Sequence, residues 1–123
     1  LAKSNQISMS ALKDIPLVLR EKGSGTREVI LKAFEHLSVK AEALNIELEL
    51  GSSESIKSYL SNGHIASFLS INTVLKELKY GDFYILDIEN LQIKRDFFFI
   101  QQQGHHSKLN SVFLKFLQHH YNF

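Results

Sequence analysis

Glycine and small hydroxyl residues gather at three points of the chain: Gly23-Ser24-Gly25-Thr26, Gly51-Ser52-Ser53, and Ser70 with Asn72 close behind. Each group stands just ahead of an apolar pattern with helical spacing. A helix N-terminus exposes backbone N–H groups that lack intrahelical partners, and it carries about half a positive charge. Glycine lets a ligand approach that backbone, and the hydroxyls add further donors. Together they can cradle an anion or a carboxylate without a formal cation. The same residue types also make ordinary helix caps. For one loop alone capping is the stronger reading, and three such loops on one edge bring ligand binding closer to even with it. The candidate ligand-binding residues are Ser24, Thr26, Gly51, Ser52, Ser53 and Ser70.

Other chemistries fit less well. "GSGTRE" begins like a dinucleotide fingerprint, but Glu28 stands where the third glycine belongs and would face a pyrophosphate. Gly25-Thr26-Arg27 lacks the lysine of a phosphate-binding P-loop. "GSG" and "GSSES" are not the turn that presents a nucleophilic serine. The adjacent histidine pairs, His105-His106 and His119-His120, should point apart, and no metal-binding helical spacing occurs. None of the four aspartates is placed to orient a histidine toward Ser24 or Ser52. No catalytic group, cofactor or metal is therefore expected.

The elements that must carry these loops are legible as apolar runs. "IPLVLR" reads as a strand led by the single proline. Val29, Ile30, Ala33, Phe34 and Leu37 form one face of a helix over Thr26–Leu37. "NIELEL" alternates like a strand with one wet face. Ser52 or Ser53 caps the next helix, and Gly63 would end it. "HIASFLS" reads as a strand buried on both faces. "INTVLKELKYG" is a helix capped by Asn72 or Thr73 and stopped by Gly81. It turns Val74, Leu75 and Leu78 inward. "DFYILDI" and "LQIKRDFFFIQQQ" read as strands, the second filling the core with its phenylalanines. A last helix shows Val112, Phe113, Phe116, Leu117 and His120 on one stripe. The opening residues read as an entry loop with a helical turn near Ser10–Lys13.

This β-α-β-α-β-α-β-β-α order implies an α/β fold, with a mainly parallel sheet between two layers of helices. In such sheets ligands bind beyond the carboxyl ends of the strands. That rule puts Glu21–Thr26, Gly51–Ser53 and Ser70–Asn72 on one edge. Ser38–Asn45, Asn62–His64 and Tyr80–Asp82 fall on the other.

The 123 residues suffice for one domain, with 44% hydrophobic and 22% charged residues. Fourteen Lys+Arg against thirteen Asp+Glu, with a pI of about 8.2, give no basic footprint for nucleic acid. Cysteine is absent, which excludes disulfides and thiolate metal sites. No apolar run reaches the roughly 20 residues of a membrane span. The chain opens on Leu1, and it is read as a piece of a longer protein.

"IPLVLREKGSGTRE", "LGSSESIKSYLSNGHIASFLS" and "IKRDFFFIQQQGHHSKLNSVFLKFL" resemble the effector-binding domain of LysR-type transcriptional regulators over nearly the whole chain. The first block carries the most specific motif. The resemblance implies a type 2 periplasmic-binding-protein-like lobe. Residues 14–100 would form the second lobe of the sensor, and residues 101–123 would return toward a first lobe. The chain as a whole, residues 1–123, would be a single partial effector-binding domain. It further implies a small-molecule effector in a cleft between lobes, a cytoplasmic homo-oligomer, and DNA contact only through a separate helix-turn-helix domain. His64, where the family often has a second glycine, and Ser67 inside the strand depart from its pattern. A lobe of a solute-binding transport protein is the alternative, and a dehydratase-type enzyme on a similar lobe is the remoter one.

Overall fold

The structure is a computed structural model that describes residues 5–96, 98, 100, 103–104 and 107–120. Among these the elements run β1 (Asn5–Ile7), α1 (Met9–Lys13), β2 (Leu17–Arg20), α2 (Gly25–His36), β3 (Ile46–Leu50), α3 (Ser53–Leu60), β4 (Ala66–Ser67), α4 (Leu75–Tyr80), β5 (Leu86–Ile88) and α5 (Lys108–His120). Short 3-10 turns occupy Ala41–Ala43 and Ile71–Thr73.

Strand β2 is the centre of a three-stranded sheet in the order β3-β2-β4, and both pairings are parallel. Leu17, Val18 and Leu19 are at most 1% exposed. Successive strand side chains point to opposite faces, so this run requires cover on both sides. Helices α2 and α3 both pack on β2 and supply that cover. Strand β3 shows the expected alternation, with Ile46, Leu48 and Leu50 half-buried and Glu47 and Glu49 exposed. Its register against β2 slips between Leu17 and Val18, where Glu47 is the extra residue.

The core gathers Leu12 of α1, Leu17 of β2, Ile30 and Phe34 of α2, and Val39 and Leu44 of the following connection. Phe34 meets Phe68, just past β4, edge-to-face at 5.5 Å and 85°. The expected stripe of α2 is therefore the one that packs, with Ile30 and Phe34 buried and Val29, Ala33 and Leu37 beside them.

Several expectations are corrected. The entry segment contains a strand, β1, which pairs in parallel with β5. "DFYILDI" is thus a strand only over Leu86–Ile88, and it joins this separate two-stranded sheet. Residues 91–96 carry no strand pairing. Phe98 and Ile100 are 79% and 87% exposed, so they do not fill the core, while Phe97 and Phe99 lie outside the described residues. Neither Asn72 nor Thr73 caps α4: a 3-10 turn intervenes, α4 starts at Leu75, and Leu75 is exposed. Gly81 does end α4, in the left-handed conformation at φ 78°. Helix α3 closes on Ser61, and Gly63 follows without a left-handed turn. The stripe of α5 is largely uncovered, with Val112, Phe113 and Phe116 each half-exposed or more.

Candidate functional site

The parallel ladders bring the C-terminal ends of β3, β2 and β4 to one edge. The loops after them carry all six candidate residues. In sheet order these are Gly51, Ser52 and Ser53 after β3, Ser24 and Thr26 after β2, and Ser70 beyond β4.

The central loop is a tight turn. The Ser24 N–H bonds the Glu21 carbonyl at 3.2 Å, and Gly23, third in the turn, takes φ 92°. That positive φ is cheap only for glycine. Ser24 is buried and caps α2, its Oγ accepting the Arg27 N–H at 3.4 Å. Thr26 does not cap the helix. It is the second helical residue, and its Oγ1 accepts from Arg95 Nη1 at 3.1 Å. Gly25 is likewise helical, and a Cβ there would lie 3.2 Å from Arg95 Nη2. The edge therefore does carry a formal cation at the α2 N-terminus. Nothing local in the sequence signals it, since Arg95 arrives from beyond β5.

Two arginine side chains brace this loop, and one of them, Arg27, ties it to β3. Arg27 Nη1 donates to the Arg20 carbonyl at 2.9 Å and lies 2.8 Å from Glu49 Oε1 of β3. Arg20 in turn grips Glu21 through two bonds, 3.0 and 3.2 Å. That hydrogen bond holds the Glu21 carboxyl below its usual range and raises the Arg20 guanidinium.

In the β3 loop, Ser52 is the cap of α3 and Ser53 the first helical residue. Ser52 Oγ accepts the Ser55 N–H at 3.1 Å and meets Ser55 Oγ at 2.8 Å. Gly51 is exposed, and a Cβ on it would meet nothing within 4 Å. Ser70 presents its carbonyl to the Thr73 N–H at 2.9 Å and the Thr73 hydroxyl at 2.7 Å. A shallow groove of about 390 Å³ runs beside α3, lined by Leu50, Ser55, Ser58, Tyr59 and Asn62. Another of about 410 Å³ lies along the later turns of α2, against Gln92, Ile93 and Lys94, away from the loop edge.

Among the described residues no three His, Cys, Asp or Glu side chains come together as a metal site. The rings of His119 and His120 do not point apart as expected but lie 5.1 Å apart, while His105 and His106 fall outside the described residues. No described helix is long and apolar enough to cross a membrane.

A parallel α/β lobe with helix starts collected on one rim is the architecture of type 2 periplasmic-binding-protein-like domains. The solved regulatory domain of CcmR from Synechocystis PCC6803, in complex with 2-PG, superposes with a TM-score of 0.71 at 31% identity, covering 95% of this chain and 55% of that one. The family model of the LysR substrate binding domain matches residues 1–122, and the chain belongs to that family. A RuBisCO operon transcriptional regulator from Acidithiobacillus ferrooxidans is 33% identical over 95% of this chain. The HTH-type transcriptional activator CmpR from Synechocystis sp. is 32% identical over 98% of it. The chain spans 37% and 39% of the lengths of these two relatives.

Proposed function

We propose that this chain is the ligand-sensing part of a LysR-type transcriptional regulator and takes a small anion on the rim formed by Ser24, Thr26, Gly51, Ser52, Ser53 and Ser70. The observation that carries the reading is the shared rim: two capped helix N-termini and a 3-10 turn open from one edge of a parallel sheet. The regulatory domain that resembles it was solved with 2-PG. Residues 14–100 make the second lobe, and 101–123 return toward a first lobe that closes the cleft. Ligand binding shifts the population between lobe arrangements by its differential affinity for them. The whole regulator is a cytoplasmic homo-oligomer without catalytic activity, and it meets DNA through a separate helix-turn-helix domain. Relatives described as transcriptional regulators favour this over a solute-transport lobe.

The half-exposed Val112, Phe113 and Phe116 of α5 need a cover, which the first lobe supplies in the whole regulator and a second copy supplies when the chain stands alone. Sedimentation would show self-association that Phe116→Ser weakens. A monomer at high concentration would overturn that part.

The ligand reading is tested by titrating 2-PG into the isotope-labelled chain and following its amide signals. Saturable shifts should fall on Ser52–Ser55, Gly25–Arg27 and Ser70–Thr73. Absence of any saturable shift, or shifts confined to the opposite edge, would overturn it.

A further inference from the structure

Lys57 belongs to none of the three rim loops, yet it touches two of their supports. Its side chain is only 15% exposed. Nζ lies 3.2 Å from Glu54 Oε1 in the first turn of α3 and 2.7 Å from Glu77 Oε1 on α4. It also donates to the Thr73 carbonyl at 3.0 Å. An ammonium has three N–H donors, and here each has an acceptor. Thr73 closes the 3-10 turn, and both its N–H and its hydroxyl return to the Ser70 carbonyl. A continuous chain of polar contacts thus runs from α3 through Lys57 and Thr73 to Ser70.

Strand β4 holds that loop poorly by itself. It is two residues long, is anchored to Pro16, Leu17 and Val18 through Ala66 and Ser67, and ends short of Ser70. Ser70 has no side-chain capping bond to fix it. The Thr73 end, by contrast, is held by a shielded cation rooted on α3, whose own start is Ser52–Ser53. The hydrogen bond between Lys57 and Glu77 raises the lysine and lowers the carboxyl, so the contact stays ionic across the ordinary pH range.

We infer that Lys57 is a positioning residue for the anion site: it fixes the Ser70 loop against the α3 N-terminus so that the two engage one ligand together. The inference rests on the ligand reading above and names a residue outside the rim as the determinant of its geometry. Without Lys57 the two loops move independently, and each offers its donors without the other.

The test titrates 2-PG into the chain and into Lys57→Met, Lys57→Arg and Thr73→Val, reading amide shifts loop by loop below the unfolding temperature. Lys57→Met should bind about tenfold more weakly, the scale of coupling within one hydrogen-bonded network. The Ser52–Ser55 amides should still respond, while those of Ser70–Val74 should cease to. Lys57→Arg, which keeps a cation in reach of the same acceptors, should restore the joint response. Thr73→Val removes the hydroxyl bond to the Ser70 carbonyl and leaves the N–H bond, so it should show a weaker uncoupling of the same kind, and it decides the matter if Lys57→Met does not fold. Joint response with unchanged affinity in Lys57→Met and Thr73→Val would overturn the inference. So would a loss shared equally by both loops, which is what plain destabilisation gives. If the unaltered chain itself shows no response, the ligand reading fails and this inference goes with it.

Discussion

Arg27, in the first turn of α2, donates to the carbonyl oxygen of Arg20, the last residue of β2, at 2.9 Å. The bond ties the start of a helix to the end of the strand before it, under the loop that separates them. Arg27 is 7% exposed, whereas its ion-pair partner Glu49 has a side chain 37% exposed. Arg27→Met should therefore cost about 1.5–3 kcal/mol, the worth of a hydrogen bond from a charged donor. Glu49→Gln should cost less than about 1 kcal/mol, because a pair open to water on one side is largely screened. Urea midpoints with an unchanged slope would check both values. Equal losses would show that the ion pair, not the carbonyl bond, carries the effect.

The two serine caps should separate when each is replaced by alanine. Removal of a capping hydroxyl costs about 0.5–2 kcal/mol. Ser52 holds the better bond, 3.1 Å against 3.4 Å for Ser24, but only Ser24 is buried. Water can replace the lost partner at Ser52 and cannot do so at Ser24. Ser24→Ala should fall at the upper end of the range and Ser52→Ala at the lower, as read by thermal unfolding. The reverse order would show that bond length outweighs burial here.

Phe34 is the largest fully buried side chain and packs edge-to-face on Phe68. Phe34→Ala should cost about 3–5 kcal/mol, enough to unfold much of a domain of this size. Phe34→Leu should be milder and should lose the aromatic term of about 0.5–1.5 kcal/mol. A double-mutant cycle with Phe68→Leu isolates that term. Additive losses would mean that the ring geometry adds nothing beyond buried area.

The Lys57–Glu77 contact sets a pH window for the join between α3 and α4. Its hydrogen bond to Lys57 holds the Glu77 carboxyl below the ordinary glutamate value of about 4.3. The folded chain therefore releases this proton more readily than the unfolded one. Its stabilisation is fully present above that ordinary value and disappears as pH falls through the lowered one. The hydrogen bond to Glu77 raises Lys57, so its contribution holds below the ordinary lysine value of about 10.4 and disappears as pH rises past the raised one. Glu77 Oε2 is buried and meets no hydrogen-bond partner among the described residues. Glu77→Gln should flatten the acid limb of a stability–pH curve relative to the unaltered chain. Superimposable acid limbs would remove Glu77 from the account.

The core of the lobe was readable because its signals are local. "PLVLR" and "NIELEL" have strand periods, Val29–Leu37 has a helical one, and Ser24 and Ser52 sit where caps belong. Each of these depends on neighbours within a turn or a strand. Strand β1 was not readable, since three residues cannot display a period and its partner is β5, far along the chain. "RDFFFI" misled for the converse reason. Its apolar character is plain, but burial depends on a surface to meet, and Phe98 and Ile100 meet little. The rim serines were legible as a set. Arg95 and Lys57 were not, because each reaches the site from an element whose own pattern says nothing of it.

The parallel placement of β2 between β3 and β4 also fixes a sequence of events in folding. Parallel neighbours cannot be joined by a tight hairpin, so each pairing closes a loop of a dozen residues or more before any ladder bond forms. Leu17, Val18 and Leu19 leave synthesis ahead of both partner strands, since β3 starts only at Ile46 and β4 at Ala66. Until then the most apolar run of the sheet has two open edges, and an open apolar edge is a template for aggregation. Helix α2 is the first helix after the strand that can cover one of its faces, while the edges wait for β3 and β4. Ile30→Val should accordingly slow refolding, whereas Ala66→Gly should mainly speed unfolding. Stopped-flow measurements that gave the opposite assignment would place the nucleus on β4. The strand with the most deeply buried side chains is made before both of its partners and is completed only by the later one.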